Sequence, residues 1–178
     1  MGSFENQAVA DVTRLRNQFS MFRGENIRKA NYYDGKQRLK DLGISLPPSM
    51  RYIDTVVGWP GTAVDVLEER LDFEGWSDSQ LDSVFQQNDL DVSAPTGHLD
   101  ALIYGTGFVT VTSGRAGEPD VVVSVASPMS MTGTRDARTN RLSEAVHVID
   151  NDDDTERAVL YRPDETVWLS HGSRGWVV

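Results

Sequence analysis

Apolar residues follow two rhythms along the chain, recurring at three- and four-residue steps up to about residue 105 and alternating beyond it. In the first region Val9, Val12, Leu15, Phe19 and Phe22 form one stripe. That spacing predicts a helix of about five turns, which Gly24 can end as a left-handed cap. Ile27, Ala30 and Tyr33 predict a shorter helix closed in the same way by Gly35, so the Tyr32-Tyr33 pair reads as a helix joint. Leu39 and Leu42 add one apolar turn before Gly43, and Leu46-Pro47-Pro48 must be extended because proline disfavours helix in the residue before it. Gly58-Trp59-Pro60-Gly61 is a second break. After it Val64, Leu67 and Leu71 define a helix whose outer face is Asp65, Glu68, Glu69 and Asp72. Ser77-Asp78-Ser79-Gln80 has capping-box spacing ahead of Leu81, Val84 and Phe85. A last helix is predicted from about Pro95 to Tyr104, with Leu99, Leu102 and Ile103 inward and Gly105 as its cap.

From residue 106 onward the pattern is that of strands. Phe108–Thr112 and Val121–Val125 are joined by the turn-rich stretch 113–120, Ala145–Ile149 and Ala158–Tyr161 by Asp150–Asp154, and Thr166–Leu169 is followed by Gly175–Val178. Successive strands on short connections imply an antiparallel meander. The fold class is therefore α+β, with about five helices in an N-terminal layer and a β-meander after it. The chain stops inside a strand pattern, which reads as a truncation.

Charge sharpens the division. Residues 1–51 carry nine Lys and Arg against five Asp and Glu, a balance of +4, and residues 52–178 carry eight against twenty-two, a balance of -14. The expected organisation is a basic helical arm (1–51), a helical part (52–105) and an antiparallel β part (106–178). The acidic body argues against a tight grip on DNA, which needs clustered Lys and Arg. A chain of 178 residues without cysteine can bury one sizeable core and has no disulfide or thiolate metal site, which fits a reducing compartment. No secretory signal and no apolar run near the roughly 20 residues of a membrane span is present, so the expectation is a soluble intracellular protein without a membrane partner.

Candidate chemistry is sparse. Asp150, Asp152 and Asp154 imitate the start of a calcium loop, but Thr155 stands where the turn needs glycine and Tyr161 where a bidentate Glu belongs. Gly105-Thr106-Gly107 lies between a helix and a strand, the reverse of the order a phosphate-binding turn requires. His98, His147 and His171 fall on different predicted elements, and His98 and Asp100 are two apart on a helix, facing different sides. Adjacent tyrosines on a helix point about 100 degrees apart, so Tyr32 and Tyr33 make no flat stacking platform for bases. No catalytic residue, metal ligand or cofactor site is assigned.

The order of punctuating segments nevertheless resembles the N-terminal part of the portal proteins of siphophages, in the subgroup typified by the Bacillus-phage portal. The segments are Tyr32-Tyr33-Asp34-Gly35, Leu46-Pro47-Pro48, Gly58-Trp59-Pro60, VDVLEERL at Val64–Leu71 and Phe73-Glu74-Gly75-Trp76. They continue with QNDLD at Gln87–Asp91 (which contains Asn88), HLDALIYGTGFVTV at His98–Val111, Ser127-Pro128-Met129, Arg135-Asp136 and RAVLYRPDE at Arg157–Glu165. Each is weak alone; in this order they cover roughly Leu15 to Leu169. Family members are far longer, so the resemblance implies the outer wing region, with the tunnel helices, clip and crown lying beyond Val178. It further implies a non-enzymatic structural protein of a tailed phage. Such a protein forms a ring of about twelve subunits at one capsid vertex, for DNA packaging, DNA ejection and head–tail joining. Implied partners are the major capsid protein, double-stranded DNA in the channel, and the terminase and head–tail adaptor through regions beyond Val178. The implied location is the virion, with the host cytoplasm during assembly. Tyr32, Tyr33, Gly35, Gly58, Trp59, Pro60, Trp76, Asn88, His98 and Gly105 are its motif residues. Of these, Gly35, Gly58, Pro60 and Gly105 are expected to set the backbone, and Trp59 and Trp76 to anchor helices on the sheet. Val12, Leu15, Phe19 and Phe22 are expected to pack, on the body or on a neighbouring subunit. Two other readings stay open at this stage: a nucleic-acid-binding module using the basic arm, and a small hydrolase using His98 and Asp100.

Overall fold

The computed structural model describes residues 2–36, 58–150, 156–173 and 175–178. Four α-helices precede seven strands: α1 Gly2–Tyr33, α2 Trp59–Glu68, α3 Asp82–Gln87 and α4 Leu90–Tyr104, with a single 3-10 turn at Ser79–Leu81. The strands are β1 Phe108–Ser113, β2 Val121–Ala126, β3 Met131–Arg135, β4 Leu142–Asp150, β5 Glu156–Arg162, β6 Glu165–Gly172 and β7 Gly175–Val177. The fold is α+β, with four helices among the described residues rather than about five. The missing count has one cause in α1, and the apolar turn expected at Leu39–Leu42 falls outside the described residues, as do Leu46-Pro47-Pro48 and residues 151–155.

α1 runs straight through Gly24, correcting the two-helix expectation. Gly24 is not among the glycines with positive φ, and its surroundings are open. A glycine inside a helix costs about 1 kcal/mol relative to alanine, too little to break a long ladder flanked by good helix formers. The Glu25–Lys29 pair, one turn apart at 3.6 Å, supports the crossing. The helix ends where Gly35 permits, at φ +68. There Lys36 N–H reaches Asn31 O at 2.8 Å and Gly35 N–H reaches Tyr32 O at 3.3 Å, the paired bonds of a Schellman cap. Gly58-Trp59-Pro60-Gly61 starts α2 instead of preceding it: Gly58 is the N-cap and proline sits in the first turn, where no N–H partner is needed. Asp78, not Ser77, caps the 3-10 turn by accepting from Gln80 N–H at 3.0 Å. α4 begins five residues before Pro95 and contains it, and ends at Gly105 with φ +81.

Two compact units divide the chain: Met1–Gly24 with Ala126–Val178, and Glu25–Val125. The unit boundaries fall at neither the charge change near residue 51 nor the helix-to-strand change near residue 105. In the first unit β3-β4-β5-β6-β7 form an antiparallel meander. The register sets Val146 opposite Leu160 and Leu160 opposite Val167, with Val148 and Leu169 flanking Ala158. Residues two apart on a strand share a face, so these rows present one apolar surface. Ala8, Val12 and Leu15 of α1, all at 0% exposure, complete that core. β3 has no strand signature in the sequence, since Met-Thr-Gly-Thr-Arg has no apolar alternation. In the second unit β1 and β2 pair as a separate two-stranded ribbon, and α2 and α3 pack on α4.

Candidate functional site

Within the first unit the apolar stripe of α1 is bordered by charge pairs to the strands. Arg162 of β5 donates to Asp11 at 2.6 Å and also to Glu165; Arg16 reaches Glu156 at 2.5 Å, and Arg14 bonds Glu144. Three basic side chains thus fix the helix on the sheet. Neither the stripe nor the strand alternation reveals such pairs, because charged residues at period 3.6 look the same when solvated. Val12, Leu15 and Phe19 are buried, whereas Phe22 is 51% exposed. His147 lies in β4, where burial holds its imidazole pKa below the ordinary 6.5. His171 stacks edge-on against Trp176 at 5.0 Å in the β6–β7 hairpin.

The second unit gathers most of the motif residues. Tyr33 Oη donates to Asp65 Oδ1 of α2 at 2.8 Å, and that bond, reinforced by burial, lifts the phenol above its usual 10.0. Tyr32 is 49% exposed, so the pair splits into one bonded ring and one surface ring. Gly61 sits so close to this joint that a Cβ would meet Tyr33 O at 2.6 Å. The sequence marks Gly61 only as a breaker, yet closeness of approach is what it supplies. Gly97 and Gly107 do the same between α4 and the ribbon: a Cβ at Gly97 would touch Val125 at 3.2 Å, and one at Gly107 would meet Gly97 O at 3.0 Å.

Asn88 has the most specific geometry of the motif residues. Its amide donates to Val84 O at 2.8 Å and Val121 O at 3.0 Å, and its carbonyl accepts from Val123 N–H at 2.8 Å. Val121 and Val123 expose their backbone groups on the edge of β2 away from β1. Asn88 therefore occupies that edge as a neighbouring strand would.

Trp76 meets Phe73 and Phe85 edge-on, with centroids 5.4 Å apart for the Phe73–Trp76 pair and 6.2 Å for Trp76–Phe85. Together with Leu90, His98 and the ribbon residues Phe108 and Val125 it lines an apolar pocket of about 360 Å³. Trp59 does not anchor helices on strands as expected: it stands 79% exposed at the first residue of α2. Leu67 and Leu71, read as inward, are 52% and 47% exposed, and Leu71 lies beyond the helix end.

For hydrolysis a nucleophile, a base and an orienting group must converge. His98 Nδ1 is buried with no hydrogen-bond partner among the described residues, and its neighbour Asp100 follows by two positions on the helix. His147 and His171 belong to the other unit. Among the described residues no three His, Cys, Asp or Glu cluster as a metal site, and no helix is long and apolar enough to cross a membrane.

A family model described as phage portal protein, SPP1 Gp6-like, matches residues 13–175. The portal protein of Mycobacterium phage L5 is 30% identical over 166 residues, covering 82% of this chain and 33% of that protein. The portal protein of Mycobacterium phage D29 is 29% identical over 190 residues, covering 96% of this chain and 39% of that protein. The chain thus spans less than two fifths of the length of these relatives.

Proposed function

Because this chain belongs to the SPP1 Gp6-like family of phage portal proteins, we propose that it is the wing portion of a subunit of the ring at one capsid vertex of a tailed phage, through which double-stranded DNA is packaged and ejected. The observation that carries this reading is the family match across residues 13–175, nearly the whole chain. The structure is consistent with a scaffold role: its motif residues serve joints, caps and an edge bond. A ring requires rigid subunits with side-by-side heterologous contacts. The double fastening of α1, by core burial and by three Arg–carboxylate links, supports that rigidity.

In this reading the complete subunit forms a ring of about twelve copies, located in the virion after assembly in the host cytoplasm. Partners are the major capsid protein at the vertex, and the terminase and head–tail adaptor through regions other than this segment. Neighbouring portal subunits and capsid protein are the surfaces that the exposed Phe22 and Trp59 would meet. Native mass spectrometry of the full-length protein provides the test. A closed ring of defined copy number is expected, and a monomer at all concentrations and ionic strengths would overturn the reading.

A further inference from the structure

Three arginines crowd the hairpin tip between β3 and β4: Arg135, Arg138 and Arg141, all exposed. They are three of only eight basic residues in 52–178. Among the described residues none of them enters an ion pair. The acid between them is committed elsewhere. Asp136 Oδ1 accepts from Thr139 N–H at 2.7 Å, Thr139 Oγ1 at 2.8 Å and Arg138 N–H at 3.1 Å, while Asp136 N–H bonds Arg141 O at 2.9 Å. The carboxylate organises the turn and the guanidinium groups stay available, on a tip that costs little entropy to dock.

The same chain carries the opposite surface. At the end of α2 and just beyond it, Glu69, Asp72 and Glu74 are exposed and, among the described residues, outside any ion pair, with Arg70 the one base between them. We propose that the arginine tip of one copy docks head-to-tail on this acidic segment of a second copy. The inference rests on the ring reading and names one contact within it. Guanidinium groups bind carboxylates through paired N–H donors, and two different patches on each subunit are what a heterologous ring contact needs. Protein carboxylates are favoured over DNA phosphates as the occupant. A grip on DNA needs clustered Lys and Arg, and this tip has only three arginines within a segment of balance -14, whereas the three carboxylates of the acidic segment match the three guanidinium groups one for one.

Charge reversal in the full-length protein tests this directly. One variant carries Arg135→Glu, Arg138→Glu and Arg141→Glu; the other carries Glu69→Arg, Asp72→Arg and Glu74→Arg. Alone, each places like charges in contact and is expected to weaken ring assembly roughly tenfold or more at low salt, a loss that narrows as salt is added. Mixed, the two are expected to restore rings with alternating subunits, an outcome that no contact inside one copy can produce. Circular dichroism checks that both fold, and a neutral Arg→Gln triple variant, expected to assemble more weakly than wild type, serves if the reversed tip does not. Rings that ignore all the substitutions, or a mixture that fails to rescue, would overturn the contact while the ring reading stands. Rings that persist while the tip variant loses retention on double-stranded DNA would assign the tip to nucleic acid instead. Absence of rings from the wild-type protein would remove the ring reading itself, and this contact with it.

Discussion

At the scale of single residues, the motif position with the most specific environment is defined by its hydrogen bonds. Asn88 satisfies two backbone acceptors and one backbone donor in a setting where water would otherwise compete for the strand edge. Asn88→Asp keeps the size and loses both donations, so it is expected to destabilise by about 1–3 kcal/mol, as is Asn88→Ala; urea unfolding measures it. A change below about 0.3 kcal/mol would show that the edge bond is replaceable by solvent. His147 gives a pH signature of known sign. Burial depresses its folded pKa below 6.5, so the unfolded chain takes up the proton first. Stability from the neutral ring is fully present above 6.5 and is lost as the pH falls through the folded value. His147→Gln is expected to flatten that part of the stability curve, and an unchanged slope would place its origin in other groups. From sequence, Asn88 is visible only as a motif position and His147 only as a strand residue, because partners 33 and 35 positions away are what define Asn88.

Elements are where local pattern and outcome part company at particular places. The stripe through Val12, Leu15 and Phe19 is legible because burial of one helix face repeats every 3.6 residues. The end at Gly24 is not, because glycine permits a left-handed cap without demanding one. Gly24→Ala separates the two cases. In the continuous helix, with open space around the position, the substitution is expected to stabilise by about 0.4–1 kcal/mol. At a left-handed cap it would strain the backbone and lower the melting temperature instead. Gly35 and Gly105 do take positive φ, so the same residue type carries opposite meanings along one stretch of chain. Strands β1, β2, β4, β5, β6 and β7 follow from alternation, while β3 is recruited by pairing with β4 despite its weak pattern.

For the whole molecule, two compact units mean that damage to one core has a local readout. Leu15 is fully buried against the meander. Leu15→Ala is expected to cost about 2–5 kcal/mol and to raise amide hydrogen exchange in β4, β5 and β6. Exchange in α4, β1 and β2 of the other unit is expected to change far less. Equal loss of protection in both sets would show that the units open together.

The sequence by itself determined the α+β class, the change of period near residue 105, the antiparallel order of most strands, and the portal family through the succession of short motifs. These are local signals: side-chain period, turn chemistry and the spacing of punctuation are written in neighbouring residues. Tertiary structure alone decided that the first 24 residues share a core with residues 126–178, that Trp59 faces outward while Trp76 joins an aromatic cluster, and that Gly61, Gly97 and Gly107 are sites of close approach. Each depends on what lies opposite a residue in space. A chain read in one dimension records which side chains are apolar or small, but not which distant backbone or surface they meet.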